Sequence, residues 1–351
     1  REIQGKVDRI TVDALGNLVV TSRSAQSAQS TQPARSGIAV AAPLDEPGVL
    51  VTHIDEDGWL RVELLGELTP ADIVGRQIAF QGRTKTVWGV AAPERRRGSG
   101  SGARSPEGAA SELRADELFV DVGGTSRSQV EWELSPGSAG VVWYGGGLDD
   151  GLLARGLSDD RLTGKALGRR SLAYLLYTVA LGRGVSGGNG VRGTSGVDDI
   201  SGVSSVDYIF AAQSLLGGRG IQPAVYRLSP GVLIVLQPIP AADWPAAPKG
   251  EVRLGGGPVL VIHAGASGSD RQLLTQAEES AIAAGGHVQR WVADGRAATD
   301  LSQGAWAGSG VRALGLGLPV RAVAGGPETI SLRDWLALRD LLTGLLKKQV
   351  R

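Results

Sequence analysis

The chain has no cysteine and no methionine, and only three histidines in 351 residues. Without cysteine there is no disulfide, no thiolate metal site and no cysteine nucleophile. The missing methionines include an initiator, so the numbering is expected to start after a processed or missing beginning. Charge of one sign is not in excess either. The 36 basic and 36 acidic residues give a formal net charge of +0, which removes the electrostatic reason to expect nucleic acid or an anionic membrane as partner. No stretch of about 18 consecutive apolar residues occurs, and the opening REIQGKVDRI carries no apolar signal core. The expectation is a soluble, cytoplasmic protein with no membrane span.

Glycine is present in plenty. Its 53 residues are about twice the usual share of ~7%, implying many turns and close backbone approaches. The length fits about two domains. Residues 38–42 form a short, continuous apolar run, as a strand buried on both faces does, and Pro43 ends it. In doubly wound sheets ligands gather at the carboxyl ends of the strands, so Pro43-Leu44-Asp45-Glu46 stands where a site belongs.

Residues 10–20 read as a strand pair turning at Asp13-Ala14-Leu15-Gly16-Asn17, and residues 22–36 as a polar surface loop. From about residue 49 to 142 the texture changes to short strands with turns between them, which fits a small β-barrel. Within it, residues 93–114 are low-complexity and polar; solvation accounts for Arg95, Arg96 and Arg97 better than an anionic partner does. After Leu162, helices and strands alternate. Helices are expected over 171–181 and 272–284, and strands over 206–212, 232–237, 259–263 and 287–292. The last helix starts at Ser331 as N-cap and carries Trp335, Leu338, Leu342, Leu345 and Leu346 on one face.

Several motifs resemble the tetrahedral aminopeptidases, cytosolic dinuclear-metal exopeptidases that include glutamyl and deblocking enzymes and proteins once named endoglucanases. The Asp13–Asn17 turn is one. Ala42-Pro43-Leu44-Asp45-Glu46-Pro47-Gly48 resembles the family's Ala-His-Met-Asp-Glu-Ile-Gly, and His53-Ile54-Asp55-Glu56-Asp57-Gly58-Trp59 its following turn. Leu118-Phe119-Val120-Asp121-Val122-Gly123-Gly124 matches a third segment, with Asp121 expected to serve its turn. The resemblance implies a doubly wound mixed α/β sheet of metallo-aminopeptidase type over residues 1–48 and 148–351. It also implies an inserted β-barrel domain of dimerisation type over 49–147.

A dinuclear hydrolytic site needs carboxylates and imidazoles at several strand ends and a glutamate to take the proton from water. Carried over from the family, those positions are degenerate here. The metal-binding histidine is Pro43. In Lys165-Ala166-Leu167-Gly168-Arg169-Arg170 the bridging aspartate is Gly168. The general base and its neighbouring ligand are Ser214 and Leu215, a further aspartate is Gln237, and the last histidine is Ala324, with Glu328 kept four residues on. None supplies the negative charge that offsets two divalent ions.

These matches imply a catalytically inactive aminopeptidase-like protein with a structural, assembly or scaffold role and no cofactor. It is expected as a homo-oligomer, a dimer or higher, or as a subunit of a larger protein complex. Two alternatives are a hydrolase with an altered site using Asp45 and Glu46, and a peptide-binding module that holds without cutting. His53 fits the second turn rather than a ligand site; His263 and His287 read as core or surface histidines. The glycine-rich run 184–202 lacks the Gly-Lys-Ser/Thr and the strand-turn-helix frame of a phosphate loop. Trp59, Trp88, Trp132 and Trp143 are many large apolar groups for so small a barrel and point to an interface, the alternative being that they fill the barrel core.

Overall fold

The computed structural model describes residues 9–22, 37–66, 68–94, 113–144, 152–155, 160–181, 206–245, 247, 252–293, 298–322 and 326–349. The expectations for loops 22–36, 93–114 and 184–202 fall largely or wholly outside these residues, as does Ala324. No helix among the described residues is long and apolar enough to cross a membrane.

In chain order, the first strands are β1 (Arg9–Val12), β2 (Leu18–Ser22), β3 (Ile38–Pro43), β4 (Gly48–Ile54) and β5 (Leu60–Leu65). Next come α1 (Pro70–Ile73), β6 (Gln77–Gln81), β7 (Thr86–Pro93), β8 (Leu118–Asp121), α2 (Arg127–Glu131) and β9 (Ala139–Trp143). There follow β10 (Leu152–Arg155), β11 (Arg161–Gly164), α3 (Leu167–Ala180), β12 (Val206–Ala211), α4 (Ile221–Leu228) and β13 (Val232–Pro240). The chain then runs through β14 (Val259–Ala264), β15 (Ser267–Gly268), α5 (Arg271–Ala283), β16 (Gln289–Val292), α6 (Asp300–Ala305) and β17 (Arg312–Arg321). It ends with β18 (Glu328–Ser331) and α7 (Leu332–Gln349).

The fold is mixed α/β, and the chain divides into two compact units. The first, residues 1–45, 152–323 and 328–351, carries a 12-stranded mixed sheet. At its centre β3 runs parallel to both β12 and β13. All six residues of β3 are buried, as its unbroken apolar text requires of a strand covered on both faces. The period of two sorts them. Ile38, Val40 and Ala42 join the core made with α3, α5 and α7, while Ala39 and Ala41 join the core made with α4 and α6. On α7, Trp335, Leu338, Leu342, Leu345 and Leu346 are all buried, and Ser331 Oγ accepts the Asp334 N–H at 3.2 Å as an N-cap.

Two element limits differ from the sequence reading for physical reasons. β13 continues past residue 237 through Pro238 and Pro240, because β3 pairs only with its Val232–Val235 half, while β17 follows it to the end. Proline is tolerated where a strand has a free side. α3 begins at Leu167 rather than Ser171, because a carboxylate distant in sequence caps it: the Gly168 N–H donates to Glu328 Oε2 at 2.6 Å.

The second unit, residues 46–151 and 324–327, contains a closed barrel in the order β4-β5-β8-β7-β6-β9. Its interior is filled by Val49, Val51, Leu60, Val62, Ile78, Phe80, Leu118 and Val120 among others. Gly140 makes room for the largest of these: a Cβ there would lie 2.6 Å from Phe80 Cδ1. The tryptophans stay outside. Trp88 and Trp132 are 49% and 62% exposed, and Trp88 packs edge-on against Trp143 at 5.5 Å between ring centres. Asp121 serves its turn as expected, its Oδ1 accepting the Gly123 N–H at 2.8 Å.

Candidate functional site at the strand ends

The carboxyl ends of β3 and β12 lie side by side, with Pro43 in register with Ala211 and the Leu44 N–H donating to Ala211 O at 2.8 Å. Past Ala211 the chain makes a tight turn held from the N-terminal hairpin. Asn17, fully buried, accepts the Ala212 N–H at 2.9 Å and donates to Gly220 O at 2.8 Å. Gln213 Nε2 donates to Leu15 O at 3.0 Å. Gln213 adopts a left-handed conformation, φ 58°, which bends the chain sharply into the short 3₁₀ turn Ser214–Leu216. The Asp13–Asn17 turn read from the sequence is thus a buttress for the site.

Three polar side chains from other elements gather at this turn around its own Ser214. Asp45, just beyond β3, accepts the Leu215 N–H at 2.7 Å through Oδ2 and faces Arg169 Nη1 at 3.4 Å through Oδ1. Arg169 comes from the first turn of α3. Asp300, the first residue of α6 after its N-cap Thr299, has Ser214, Arg169 and Asp45 as its electrostatic neighbours, while Ser214 Oγ donates to Ala211 O at 3.5 Å. Burial pushes the Asp300 carboxyl up to about 6, against the lowering effects of Ser214 and Arg169, with Asp45 adding to the rise. Among the described residues its buried Oδ1 has no hydrogen-bond partner.

The residues singled out from the sequence divide among different surroundings. Asp45, Ser214 and Leu215 belong to the cluster. Gly168 is buried nearby in the chain but tied to Glu328 instead. Gln237 sits on β13 opposite Gly317. Glu46 belongs to the second unit. His53 is exposed on β4, and His263 and His287 are exposed in the first unit. Asp243, downstream of Gln237, is gripped by Arg321 at 2.7 and 2.8 Å, and that guanidinium holds its carboxyl below the usual carboxylate range.

Sequence reading missed Asp300 and gave Arg169 no role. The one signal near Asp300 was the Thr299 cap in front of it, which says helix start rather than site.

The residues present do not suit a pair of divalent ions. Pro43 and Leu215 offer no donor side chain, and Asp45 is already engaged by a guanidinium and a backbone N–H. At Gly168 the space a carboxylate would need is filled. A Cβ there would lie 2.8 Å from Val320 Cγ2, 3.1 Å from Glu328 Oε2 and 3.2 Å from Pro238 Cβ. Among the described residues no three His, Cys, Asp or Glu side chains gather as a metal site would need.

Two relatives provisionally named as aminopeptidases are similar to this chain. One, from Acetivibrio thermocellus, is 24% identical over 261 residues, which are 74% of this chain and 65% of that protein. The other, FrvX of Escherichia coli strain K12, is 28% identical over 358 residues, covering 97% of this chain and 86% of that one. The TET1 peptidase of Pyrococcus horikoshii, which can assemble into a tetrahedron or a large octahedral shell, shares the fold. Its TM-score is 0.74 at 21% identity, with 98% of this chain and 91% of that chain covered. A family model for the M42 glutamyl aminopeptidases matches residues 16–178 and 202–341, and with most of its length so matched the chain belongs to that family.

Proposed function

We propose that this chain is an aminopeptidase-like protein without peptidase activity, a pseudopeptidase whose role lies in structure or assembly. Gly168 carries the reading. A carboxylate there would press on Val320, Glu328 and Pro238, with Val320 Cγ2 only 2.8 Å from a Cβ, which supports a repacked site rather than one merely stripped of a side chain. Pro43, Ser214, Leu215 and Gln237 support it, since none brings an anionic or imidazole donor to a strand end. Without an ion to lower the pKa of water, and with a hydroxyl rather than a carboxylate at Ser214, neither half of metal-assisted hydrolysis is supplied. Resemblance to cytosolic exopeptidases supports a cytoplasmic location.

The test is a panel of aminoacyl chromogenic substrates assayed with added zinc, cobalt and manganese. No turnover above the metal-only control is expected. Turnover that co-purifies with the protein and disappears with a chelator would refute the reading and favour a hydrolase with an altered site.

For the assembly role, the barrel offers a surface. Trp88 and Val90 on β7 and Trp143 on β9 point outward, and the β6 residues Gln77 and Ala79 pair across to them. Exposed aromatic groups of this kind commonly anchor interfaces. The assembly described for the TET1 peptidase of Pyrococcus horikoshii supports the same expectation, a homo-oligomer built at least partly through the barrel. Light scattering should give a dimer or larger for the intact chain and a smaller species for Trp88→Ser/Trp143→Ser. A monomeric intact chain at micromolar concentration would remove the proposal.

A further inference from the structure

The strand β1 stands at one end of the 12-stranded sheet, with bonding groups on its outer rim. Among the described residues it pairs only with β2, in the register Ile10 to Val20, Thr11 to Val19 and Val12 to Leu18. The Asp13 N–H donates to Asn17 O at 3.1 Å, so Asp13 turns its main chain towards the β2 side. Main-chain groups alternate in direction along an antiparallel strand, which turns those of Arg9 and Thr11 to β2 as well and those of Ile10 and Val12 outward. The side chains alternate too. Ile10 and Val12 lie opposite Val20 and Leu18, on the sheet face covered by α3 and α7, and are 37% and 69% exposed. Arg9, Thr11 and Asp13 belong to the other face, where Arg227 Nη2 of α4 donates to Thr11 Oγ1 at 3.4 Å.

We propose that this edge is a contact between two copies of the chain, their β1 strands pairing antiparallel about a two-fold axis through Thr11. A second copy is the occupant because the strand complements itself. Turned about Thr11, the run Arg9-Ile10-Thr11-Val12-Asp13 sets Arg9 opposite Asp13, Ile10 opposite Val12 and Thr11 opposite itself. Cation meets anion at both ends, exposed branched side chains meet on one face, and the outward main-chain groups of Ile10 and Val12 satisfy one another. The contact lies in the first unit and uses none of the barrel tryptophans.

The charges select the register. An axis through Ile10 sets Arg9 opposite Thr11, and one through Val12 sets it opposite Leu15, so only the axis through Thr11 pairs it with an anion. Asp13 has room for the pairing. Its Oδ1 accepts the Leu15 and Asn17 N–H groups at 3.0 Å, whereas its Oδ2 takes a bond from Asn17 Nδ2 at 2.7 Å and keeps a lone pair. Arg227, beside Thr11, adds a second cation within diagonal reach of the other copy's Asp13. Neither lysine nor proline, the usual guards of an open edge, interrupts β1.

The lack of cysteine lets the register be tested by disulfide cross-linking of the full chain. Thr11 and its copy form a non-hydrogen-bonded pair, whose Cα atoms come about 4.5 Å apart, within reach of a disulfide. The variants Thr11→Cys and Arg9→Cys are to be oxidised at micromolar concentration and read by non-reducing electrophoresis. Thr11→Cys should form a cross-linked dimer at least about tenfold faster than Arg9→Cys, whose Cα atoms lie about 14 Å apart in this register. Adding Val12→Pro to Thr11→Cys should slow cross-linking at least about tenfold, because proline removes an outward N–H and none that β2 uses. If urea unfolding shows that Val12→Pro does not fold, Val12→Asp takes its place with the same expectation. Equal rates for the two cysteines, no Thr11→Cys dimer, or indifference to the change at Val12 would each overturn the proposal. With Trp88→Ser/Trp143→Ser present, Thr11→Cys should still cross-link, whatever those changes do to assembly through the barrel. Cross-linking lost in that background would overturn the edge as a contact in its own right.

Discussion

Two loops carry nearly the same acidic text, Asp45-Glu46-Pro47-Gly48 and Asp55-Glu56-Asp57-Gly58, and they use it differently. Asp55 is consumed by its own turn: its Oδ1 accepts the Trp59 N–H at 2.8 Å, and its main-chain N–H and C=O bond to Trp59 and Gly58. Gly58, at φ +90°, permits the turn. Asp45 bonds outside its loop, reaching Leu215 and Arg169, which are 170 and 124 residues away in sequence. A carboxylate saturated locally shapes a turn, whereas one whose partners come from other elements organises a site. His53-Ile54-Asp55-Glu56 has the look of a metal motif, yet it is the local kind.

The comparison can be broken or sharpened by substitution. The largest effect is expected from Gly168→Asp, which puts a carboxylate where the proposed reading places the family's bridging aspartate, without room for it. Overpacking against Val320 and Pro238, with a second anion beside Glu328, should destabilise by about 4 kcal/mol in urea unfolding. A variant as stable as the parent would mean the site can reopen. Asp45→Ala should follow at about 3 kcal/mol, since it strands the Leu215 N–H and the Arg169 guanidinium.

Asp300 gives a pH signature. Its folded-state pKa of about 6 lies above the ordinary 3.8, so between these values the folded chain holds a proton that the unfolded chain has lost. Stability from this group is therefore present at low pH and is lost as pH rises from about 4 to about 6. The loss is up to about 3 kcal/mol at about 1.4 kcal/mol per unit. Asp300→Asn should remove that decline; unfolding curves at several pH values that keep the same slope in the variant would assign the effect elsewhere. The smallest change is expected from Asp55→Ala, about 1 kcal/mol or less, because its bonds lie in an exposed turn. A cost equal to that of Asp45→Ala would erase the distinction between the two loops.

Much of this was legible in the sequence because it is periodic. The apolar run of β3, the face of α7 and the short strands of the barrel announce themselves by spacing, and the outward tryptophans by their excess over what a small barrel can bury. The positions around Pro43, Gly168 and Ser214 could be located by the motifs that frame them. The side chains that gather around Ser214 could not. Asp300 is brought to Ser214 by the packing of α6, and Arg169 follows Gly168 as one more charge on a helix start, where a basic residue has no local advantage. The early start of α3 was hidden for the same reason, since its cap is Glu328, 160 residues further on. Long-range polar contacts leave no pattern in a single sequence.

The most direct measurement is metal content. The purified chain, equilibrated with zinc or cobalt and then dialysed, is to be analysed by mass spectrometry alongside Arg169→Gln. The account predicts far less than one ion per chain in the parent, because Pro43, Gly168 and Leu215 bring no donor side chain and Asp45 is engaged by Arg169 and the Leu215 N–H. One or two tightly held ions per chain in the parent, lost together with peptidase activity on chelation, would contradict it.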